Sequence, residues 1–232
     1  MSLSSTELDA IYLTIALASV TTLWLMVLGT PLAWWLSRRS GTIPALLEAL
    51  VALPLILPPT VLGFYLLLMF APDSFVGYWW QQLTGEPLAF TFTALVIGSV
   101  IYSLPFVVQP LQSAFQRVPG DMLDAAATLG AGPLDQFRSI VLPLTHRSFV
   151  TAASLGFAHT VGEFGVVLMI GGNIPGETQV LSIALFDYVE TLQFAEAHRL
   201  SAGLVLFSIA LLFFLYRDRD TDRKNSAWRV SA

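Results

Sequence analysis

The feature that most constrains this chain is a series of apolar runs that are each long enough to cross a membrane. A helix needs about 20 apolar residues to span a hydrocarbon core of ~30 Å, where only helices and closed barrels satisfy all their backbone hydrogen bonds. Charged residues make up 12% of the 232 residues, against about a quarter in soluble domains. We therefore predict an all-α polytopic membrane protein in which residues 1–232 form one domain. The five runs are Ile11 to Leu36, Leu46 to Phe70, Phe92 to Phe115, Phe149 to Ile170, and Leu200 to Tyr216.

A sixth apolar segment, from Val180 to Ala195, differs from these runs because it carries charge. Asp187 and Glu190 lie within it, and its apolar residues recur mainly at helical spacing. This pattern indicates an amphipathic helix outside the main spans. Whether the segment is re-entrant, interfacial or a sixth span stays open.

The basic residues predict the orientation of the spans, because cytoplasmic segments of membrane proteins are enriched in Lys and Arg. With five spans, every basic residue except Arg199 falls on one side of the membrane. That side carries Arg38, Arg39, Arg117, Arg138, Arg147, Arg217, Arg219, Arg223, Lys224 and Arg229. We therefore expect the N-terminus outside and the C-terminus in the cytoplasm.

The composition also excludes several kinds of chemistry. The chain has no cysteine, which rules out disulfides, thiolate metal sites and cysteine nucleophiles. Its basic residues do not form the dense patch with interleaved aromatics that binds nucleic acid. We predict no catalytic residue, no metal site and no nucleic-acid partner, and a lipid bilayer as the surroundings.

The cytoplasmic connection, residues 117–147, is too long for a simple turn, yet its composition is not that of a disordered segment. Pro119 suits the first position of a short helix that Gly130 ends. A second short helix is predicted from Pro133 towards Pro143, which is then expected to start the next span. Short helices are marginal in water unless something packs against them, so this loop predicts a cytoplasmic protein partner.

The run that begins at Val118, VPGDMLDAAATLGAGPLDQFRSIVLP, resembles the "EAA" loop of ABC-importer permeases. In that family the loop is the coupling helix, which sits in a groove of the ATPase subunit. Independently of the resemblance, successive alanines let a partner approach a helix backbone closely, and Gly130 lets the chain turn. The residues that match the family's loop are Ala125, Ala126, Leu129, Gly130, Ala131, Phe137, Leu142 and Pro143, with Asp124 where the family usually has Glu.

The second run, LPLILPPTVLGFYLL, contains Pro54, Pro58 and Pro59, the last followed by Thr60. Each proline removes a backbone donor and frees a carbonyl, which at membrane depth is tolerated where the chain is buried in protein or lines a cavity. The pattern favours two interpretations equally: a kinked helix that lines a pathway, and a helix bent for packing alone. These four residues are candidate pathway residues.

The fourth run holds His159 and Glu163 and closes with GEFGVVLMIGGNIPG. An ionisable residue inside a span is costly and usually faces a bundle interior or a watery path. We predict that Glu163 belongs to a gate or pathway, with structural hydrogen bonding as the alternative. For His159, one turn earlier, a structural role is favoured.

Together, these motifs and the loop between them resemble the permease subunits of molybdate ABC importers over most of the chain, from about Leu46 to Gly176. Sulfate and tungstate permeases are close relatives. The resemblance implies a type I importer permease in the inner membrane that acts as a homodimer. It also implies two cytoplasmic ATPase subunits, which bind ATP and Mg, and a periplasmic oxyanion-binding protein. The chain itself is then expected to need no cofactor and to have no catalytic site.

The charges of the chain bear on how an anion would be delivered. No Lys or Arg lies within the five runs, so the chain supplies no fixed cationic site at mid-membrane. On the predicted outer side, a single basic residue, Arg199, opposes eight acidic ones: Glu7, Asp9, Asp73, Glu86, Glu177, Asp187, Glu190 and Glu196. An acidic face of this kind would not steer a free anion inward, which favours delivery by a docked carrier.

Two other classes of function are alternatives. An ion-coupled secondary transporter or channel could use Glu163 and His159, but broken inverted repeats are absent from the sequence and the cytoplasmic loop would have no role. An intramembrane hydrolase could use Ser154 and His159, but these lie in an ordinary apolar helix without the setting of a serine nucleophile. Dependence of uptake on ATP rather than on the proton gradient separates an importer from a secondary transporter.

Overall fold

The computed structural model describes the backbone of residues 4–230 and the side chains of residues 4–213. Within that range the chain is helical with short connections, as predicted. The elements are α1 (Ser5–Arg38), α2 (Thr42–Ile56), α3 (Pro59–Phe70), α4 (Phe75–Thr84), α5 (Phe92–Gln116), α6 (Gly120–Thr128), α7 (Pro133–Gln136), a π-helical turn (Phe137–Val141), α8 (Leu142–Val161), α9 (Gly165–Gly171), α10 (Leu181–Glu190) and α11 (Phe194–Val230).

Among the described residues, three helices are long and apolar enough to cross a membrane unbroken: α1, α5 and the Phe194–Phe213 part of α11. Two more spans are present if each of two bent pairs counts as one, α2 with α3 and α8 with α9. These elements correspond to the five predicted runs, although two of the five are broken. The fifth run extends to Tyr216, so its end lies outside the described side chains.

The centre of the bundle is α5, which packs against α1 and α8. Glycines of both neighbours allow this close approach. A Cβ on Gly29 of α1 would lie 3.2 Å from Cγ1 of Val107, and a Cβ on Gly156 of α8 would lie 2.9 Å from Cγ2 of the same valine. Val107 itself is fully buried. Small residues at such contacts let membrane helices pack backbone against backbone.

The paired prolines of the second run produce a full break rather than a kink. The residue before a proline is driven out of the helical region. Leu57 and Pro58 each precede a proline, and their ψ angles are 137° and 135°. Pro59 then begins α3, where its missing N–H costs nothing. As a result α2 and α3 meet at 113°.

Pro143 lies in the first turn of α8, in keeping with the expected start of a span, but no break in the helix precedes it. The chain is helical without interruption from α7 through the π-helical turn into α8. Within the π-helical turn, the Leu142 N–H bonds to the carbonyl of Phe137, five residues back. Because Pro143 has no N–H for the carbonyl four residues earlier, the regular α pattern is interrupted beside it, and the wider turn lies at that interruption.

Besides α6, two short helices lie outside the broken and unbroken spans. The amphipathic segment forms α10, whose ten residues give a length of about 15 Å, half the thickness of the hydrocarbon core. The Leu181 N–H at its start donates to Thr14 Oγ1 of α1 at 2.8 Å. The other helix, α4, was not predicted from the sequence. Its first turn is capped by Ser74, whose Oγ accepts a hydrogen bond from the Gly77 N–H at 2.9 Å.

Candidate functional site

The two helix breaks lie next to each other. Helix α3 packs on α9, and a Cβ on Gly165 would lie 2.7 Å from Cβ of Pro59. One turn further along both helices, a Cβ on Gly63 would lie 2.7 Å from Cβ of Met169. These separations leave no room for a larger residue at either glycine. The proline break and the break before α9 therefore form one contact region.

Glu163 lies in the non-helical segment between α8 and α9, where the two helices bend by 60°. It is 3% exposed. Among the described side chains, its carboxylate lies within interaction range of the Ser99 hydroxyl of α5, yet neither group makes a hydrogen bond of normal geometry. A buried and unpaired carboxylate is costly, and its presence at a helix break marks a candidate functional site.

His159, one turn before this break, is held by groups from α5 and from its own helix. Its Nδ1 lies 2.8 Å from Ser103 Oγ, which also lies 3.2 Å from Thr160 Oγ1. The imidazole stacks on Phe106 with ring centroids 3.9 Å apart. These contacts favour the structural role expected for His159, and they pair it with Ser103 rather than with the Ser154 of the hydrolase alternative.

Helix α10 covers the break from another side. Ser182 Oγ donates to the backbone carbonyl of Glu163 at 2.6 Å, and the rings of Phe164 and Phe186 lie 5.0 Å apart. Sequence patterns did not single out Ser182 or Ser99. Isolated serines are common in apolar runs, and only the tertiary contact distinguishes these two.

The predicted pathway residues of the second run surround the proline break. Pro59 lies against Gly165, and the backbone nitrogen of Thr60 would be 3.6 Å from a Cβ at the same glycine. Pro58 and Thr60 are exposed on the protomer, whereas Pro54 is buried within α2. The structure thus brings Pro59 and Thr60, rather than the whole set, beside the segment that carries Glu163.

The second candidate site is the loop between α5 and α8, in which α6 ends at Gly130 as predicted. The φ angle of Gly130 is 90°, in the left-handed region that glycine adopts without strain. The Ala131 N–H donates to the Ala126 carbonyl at 3.0 Å, and the Gly130 N–H to the Ala127 carbonyl at 2.9 Å. This pair of bonds is the Schellman motif, which satisfies the last carbonyls of a helix.

Helix α6 presents an uncovered surface, because none of its residues is buried. The side chain of Leu129 at its end is 89% exposed, and that of Met122 is 46% exposed. These two side chains therefore leave apolar surface uncovered within the protomer. Of the predicted coupling residues, Asp124, Ala125, Leu129, Gly130 and Pro143 are exposed, and Ala126, Ala131 and Phe137 are half-buried.

Phe137 anchors the loop to the membrane helices. Its ring centroid lies 5.8 Å from that of Trp34 on α1 and 6.1 Å from that of Phe115 on α5. Phe149 of α8 lies 5.8 Å from Phe115, so three helices and the loop meet in one aromatic cluster. Arg38 extends this cluster, with its guanidinium 4.6 Å from the centroid of Trp34. Sequence analysis identified Phe137 and missed Trp34 and Phe115, whose role depends on tertiary contacts.

The two candidate sites lie towards opposite ends of α5. Ser99 faces Glu163, and Phe115 contacts Phe137. The difference in number, 115 minus 99, is 16 residues of helix, or about 24 Å. Helix α5 therefore connects the break to the loop as one continuous element.

Arg199, the basic residue predicted on the acidic outer side, is paired within the chain. Its guanidinium forms a salt bridge with Glu7, which is 1% exposed. The bridge joins the first turn of α1 to α11, and its cation is already engaged by a carboxylate. The five basic residues from Arg217 to Arg229 lie outside the described side chains.

Comparison with known sequences identifies related transport proteins. Residues 13–218 match the family described as binding-protein-dependent transport system inner membrane component. The chain is 55% identical to the molybdenum transport system permease protein ModB of Azotobacter vinelandii, over 94% of this chain and 97% of that protein. It is 34% identical to the putative molybdenum transport system permease protein YvgM of Bacillus subtilis, over 94% and 96% of the two chains. It is 32% identical to the sulfate transport system permease protein CysT of Salmonella typhimurium, over 86% of this chain and 72% of that protein.

Solved structures share the fold. The structure of a bacterial ABC transporter involved in the import of alginate aligns with 96% of this chain and with 80% of its own chain. The TM-score is 0.72 and the sequence identity is 14%. The methionine ABC transporter MetNI, in an inward-facing conformation, matches 93% and 97% with a TM-score of 0.67 at 18% identity. The predicted all-helical importer permease fold is therefore confirmed. The chain belongs to the family of binding-protein-dependent transport system inner membrane components, and it is a multi-pass membrane permease rather than an enzyme.

Proposed function

We propose that this chain is the permease of an ATP-driven importer for molybdate, a tetrahedral oxyanion. The observation that carries the substrate assignment is the 55% identity, along nearly the full length of both chains, to the molybdenum permease of Azotobacter vinelandii. Identity to the sulfate permease of Salmonella typhimurium is 32%, and this chain spans 72% of that protein. Sulfate and tungstate, which are also tetrahedral oxyanions, are the alternative substrates.

The proposed partners follow from the family and from the two faces of the chain. Two copies of a cytoplasmic ATPase, which bind ATP and Mg, lie beneath α6, and a periplasmic oxyanion-binding protein docks on the acidic outer side. The pairing of Arg199 with Glu7 supports this delivery, because a free anion would meet mainly carboxylates there. The N-terminus then lies in the periplasm and the C-terminus in the cytoplasm.

The coupling residues act through α6 and the turn at Gly130. The exposed Met122 and Leu129 suit burial against an ATPase subunit. Phe137 packs on Trp34 and Phe115, so a displacement of the loop is transmitted to α1 and α5. A Schellman turn keeps α6 in a fixed position relative to α7, as a coupling element requires.

The gate lies where the two breaks meet. Glu163 is buried in this conformation, so it reaches a pathway only if α8 and α9 change their angle at the break. Its unpaired carboxylate makes the buried arrangement costly, and non-helical residues are where such a bend can change. Pro59 and Thr60 would move with the segment between α8 and α9, because they lie against Gly165.

The functional unit is a homodimer. Five spans are too few to enclose a gated pathway with alternating access, and the chain has no internal duplication that would supply a second half. Exposed apolar residues on α3 and α11, among them Tyr65 at 63% and Leu206 at 68%, leave large surfaces of the protomer for lipid or a second copy.

The first test of the substrate is uptake by the purified permease, its ATPase and its binding protein in liposomes. We expect molybdate uptake that requires ATP and is unaffected by collapse of the proton gradient. Competition by unlabelled molybdate, tungstate and sulfate gives the preference. Uptake that follows the proton gradient instead would contradict the importer assignment, and uptake of sulfate alone would correct the substrate.

The homodimer is tested by cross-linking, which is convenient because the chain has no native cysteine. Single cysteines are introduced at exposed positions of α3, such as Tyr65→Cys, and of α11, such as Leu206→Cys. They are treated with bifunctional thiol reagents in the active complex. We expect the cysteine on at least one of these two helices to give a cross-linked dimer of the permease. Recovery of monomers alone from a complex that transports would refute the proposal.

The coupling role of the loop is tested with Gly130→Val. A β-branched residue at φ 90° costs about 1–3 kcal/mol, so the Schellman turn should be distorted while the spans still insert. We expect weaker co-purification of the ATPase, or ATP hydrolysis that no longer drives uptake. Gly132→Val is the matched control, because Gly132 has a φ of −72° and open surroundings. Normal assembly and uptake with Gly130→Val would contradict a coupling role.

The gate hypothesis is tested with Glu163→Gln and Glu163→Ala, with uptake normalised to assembled complex. Gln keeps the shape and removes the charge, so a gating carboxylate predicts altered transport or an altered ATPase response to the loaded binding protein. Ala should have a larger effect. A structural role predicts instead that Ala lowers the amount of complex and Gln changes nothing per complex. Glu177→Gln, at an exposed position of the outer loop, is the control. Unchanged rates in both Glu163 variants would exclude a gate.

A further inference from the structure

Two grooves adjoin along α5. The larger one, about 420 Å³, is lined by residues that include Glu48 of α2 and Gln112 and Gln116 of α5. The second, about 330 Å³, is lined by Leu55 of α2 and by Pro105 and Phe106 of α5. Gln109 and Ser113 line both grooves, which are therefore neighbours along α5. From residue 105 to residue 116 the combined groove follows about 16 Å of helix.

The polar lining of this groove occupies one face of α5. Counted from Gln109, three further polar residues follow after three, four and seven positions: Gln112, Ser113 and Gln116. This spacing places all four on the same side of a helix. Polar side chains within a membrane-spanning helix are costly and face either other protein groups or water. Gln109 and Ser113 are exposed on the protomer. Their exposure towards a groove indicates a wet channel rather than a lipid-facing surface.

The groove offers hydrogen-bond donors without positive charge. Its lining contains no Lys, Arg or His, and the amide and hydroxyl groups of Gln109 and Ser113 are neutral donors. At the end of the groove nearest to the last turn of α5, which we call its mouth, Gln112 Nε2 donates to the carboxylate of Glu48 at 2.5 Å, so a negative charge lies there. A site of this kind binds an anion weakly, and conduction requires sites weak enough to be left again.

We propose that this groove is the cytoplasmic half of the oxyanion pathway, in which Gln109 and Ser113 donate hydrogen bonds to the passing anion. The inference rests on the proposed function and names the part of the chain that the substrate meets. At its inner end the groove reaches Leu55, in the last turn of α2 before the proline break, and Phe106, which stacks on His159. The Glu48 carboxylate at the mouth discourages the anion from staying there.

The experiment changes the charge at the point that both grooves share. In the reconstituted complex with its ATPase and binding protein, Gln109→Glu places a carboxylate beside the anion, and uptake per ATP hydrolysed is expected to fall by about tenfold or more. Gln109→Arg supplies a fixed cation that holds the anion, and it should also slow uptake. Gln109→Asn keeps a neutral hydrogen-bond donor, so this variant should retain most of the uptake. Gln82→Glu, exposed on α4 away from the groove, is the matched control and should transport normally.

A second measurement covers the case in which a charged variant fails to assemble. Gln109→Cys is treated with a negatively charged, water-soluble thiol reagent added to the cytoplasmic side, and modification that molybdate slows supports the proposal. Unchanged uptake with Gln109→Glu, or no modification of Gln109→Cys in any state of the ATPase cycle, would overturn it. The second result would indicate that another copy of the chain fills the groove. Absence of ATP-driven uptake by the unsubstituted complex for molybdate, tungstate and sulfate would instead contradict the proposed function.

Discussion

The close contact of α5 with α1 and α8 is the interaction on which the rest of the structure depends. Val107 is fully buried where Gly29 and Gly156 allow the two neighbouring helices to approach. Lipid is as apolar as the side chains it surrounds, so membrane helices associate mainly through such dense packing. Each atomic contact is weak, but a well-packed interface sums many of them. Helix α5, fixed in this way, carries Ser99 towards the break and Phe115 towards the loop.

A membrane protein can interrupt a helix only where the exposed backbone groups are covered or wet. The break before α9 meets this requirement because α3, α5 and α10 surround it, and Ser182 donates to the Glu163 carbonyl. The proline break of α2 and α3 lies against the same region through Pro59 and Gly165. The two interruptions share one contact, so they place the non-helical backbone of both broken spans in a single region of the protomer.

The loop between α5 and α8 is stabilised differently, by local hydrogen bonds and by the packing of Phe137. The Schellman turn at Gly130 satisfies the end of α6, and Phe137 fixes the following helix to Trp34 and Phe115. The uninterrupted helix from α7 into α8 then joins the loop to a span without a flexible linker. If α6 is the coupling element that we propose, these aromatic contacts and the continuous helix are its connections to the bundle.

The sequence by itself determined the membrane class, the five apolar runs, the helix stop at Gly130 and the resemblance to importer permeases, because these depend on hydropathy and on backbone preferences within a few residues. It indicated a bend at Pro58 and Pro59 but not its 113° angle. Only the tertiary structure decided three other features: the unbroken helix that leads into Pro143, the surroundings of Glu163 and the polar groove at Gln109. Each of these features depends on which helices lie side by side, and periodicity along one helix carries no information about its neighbours.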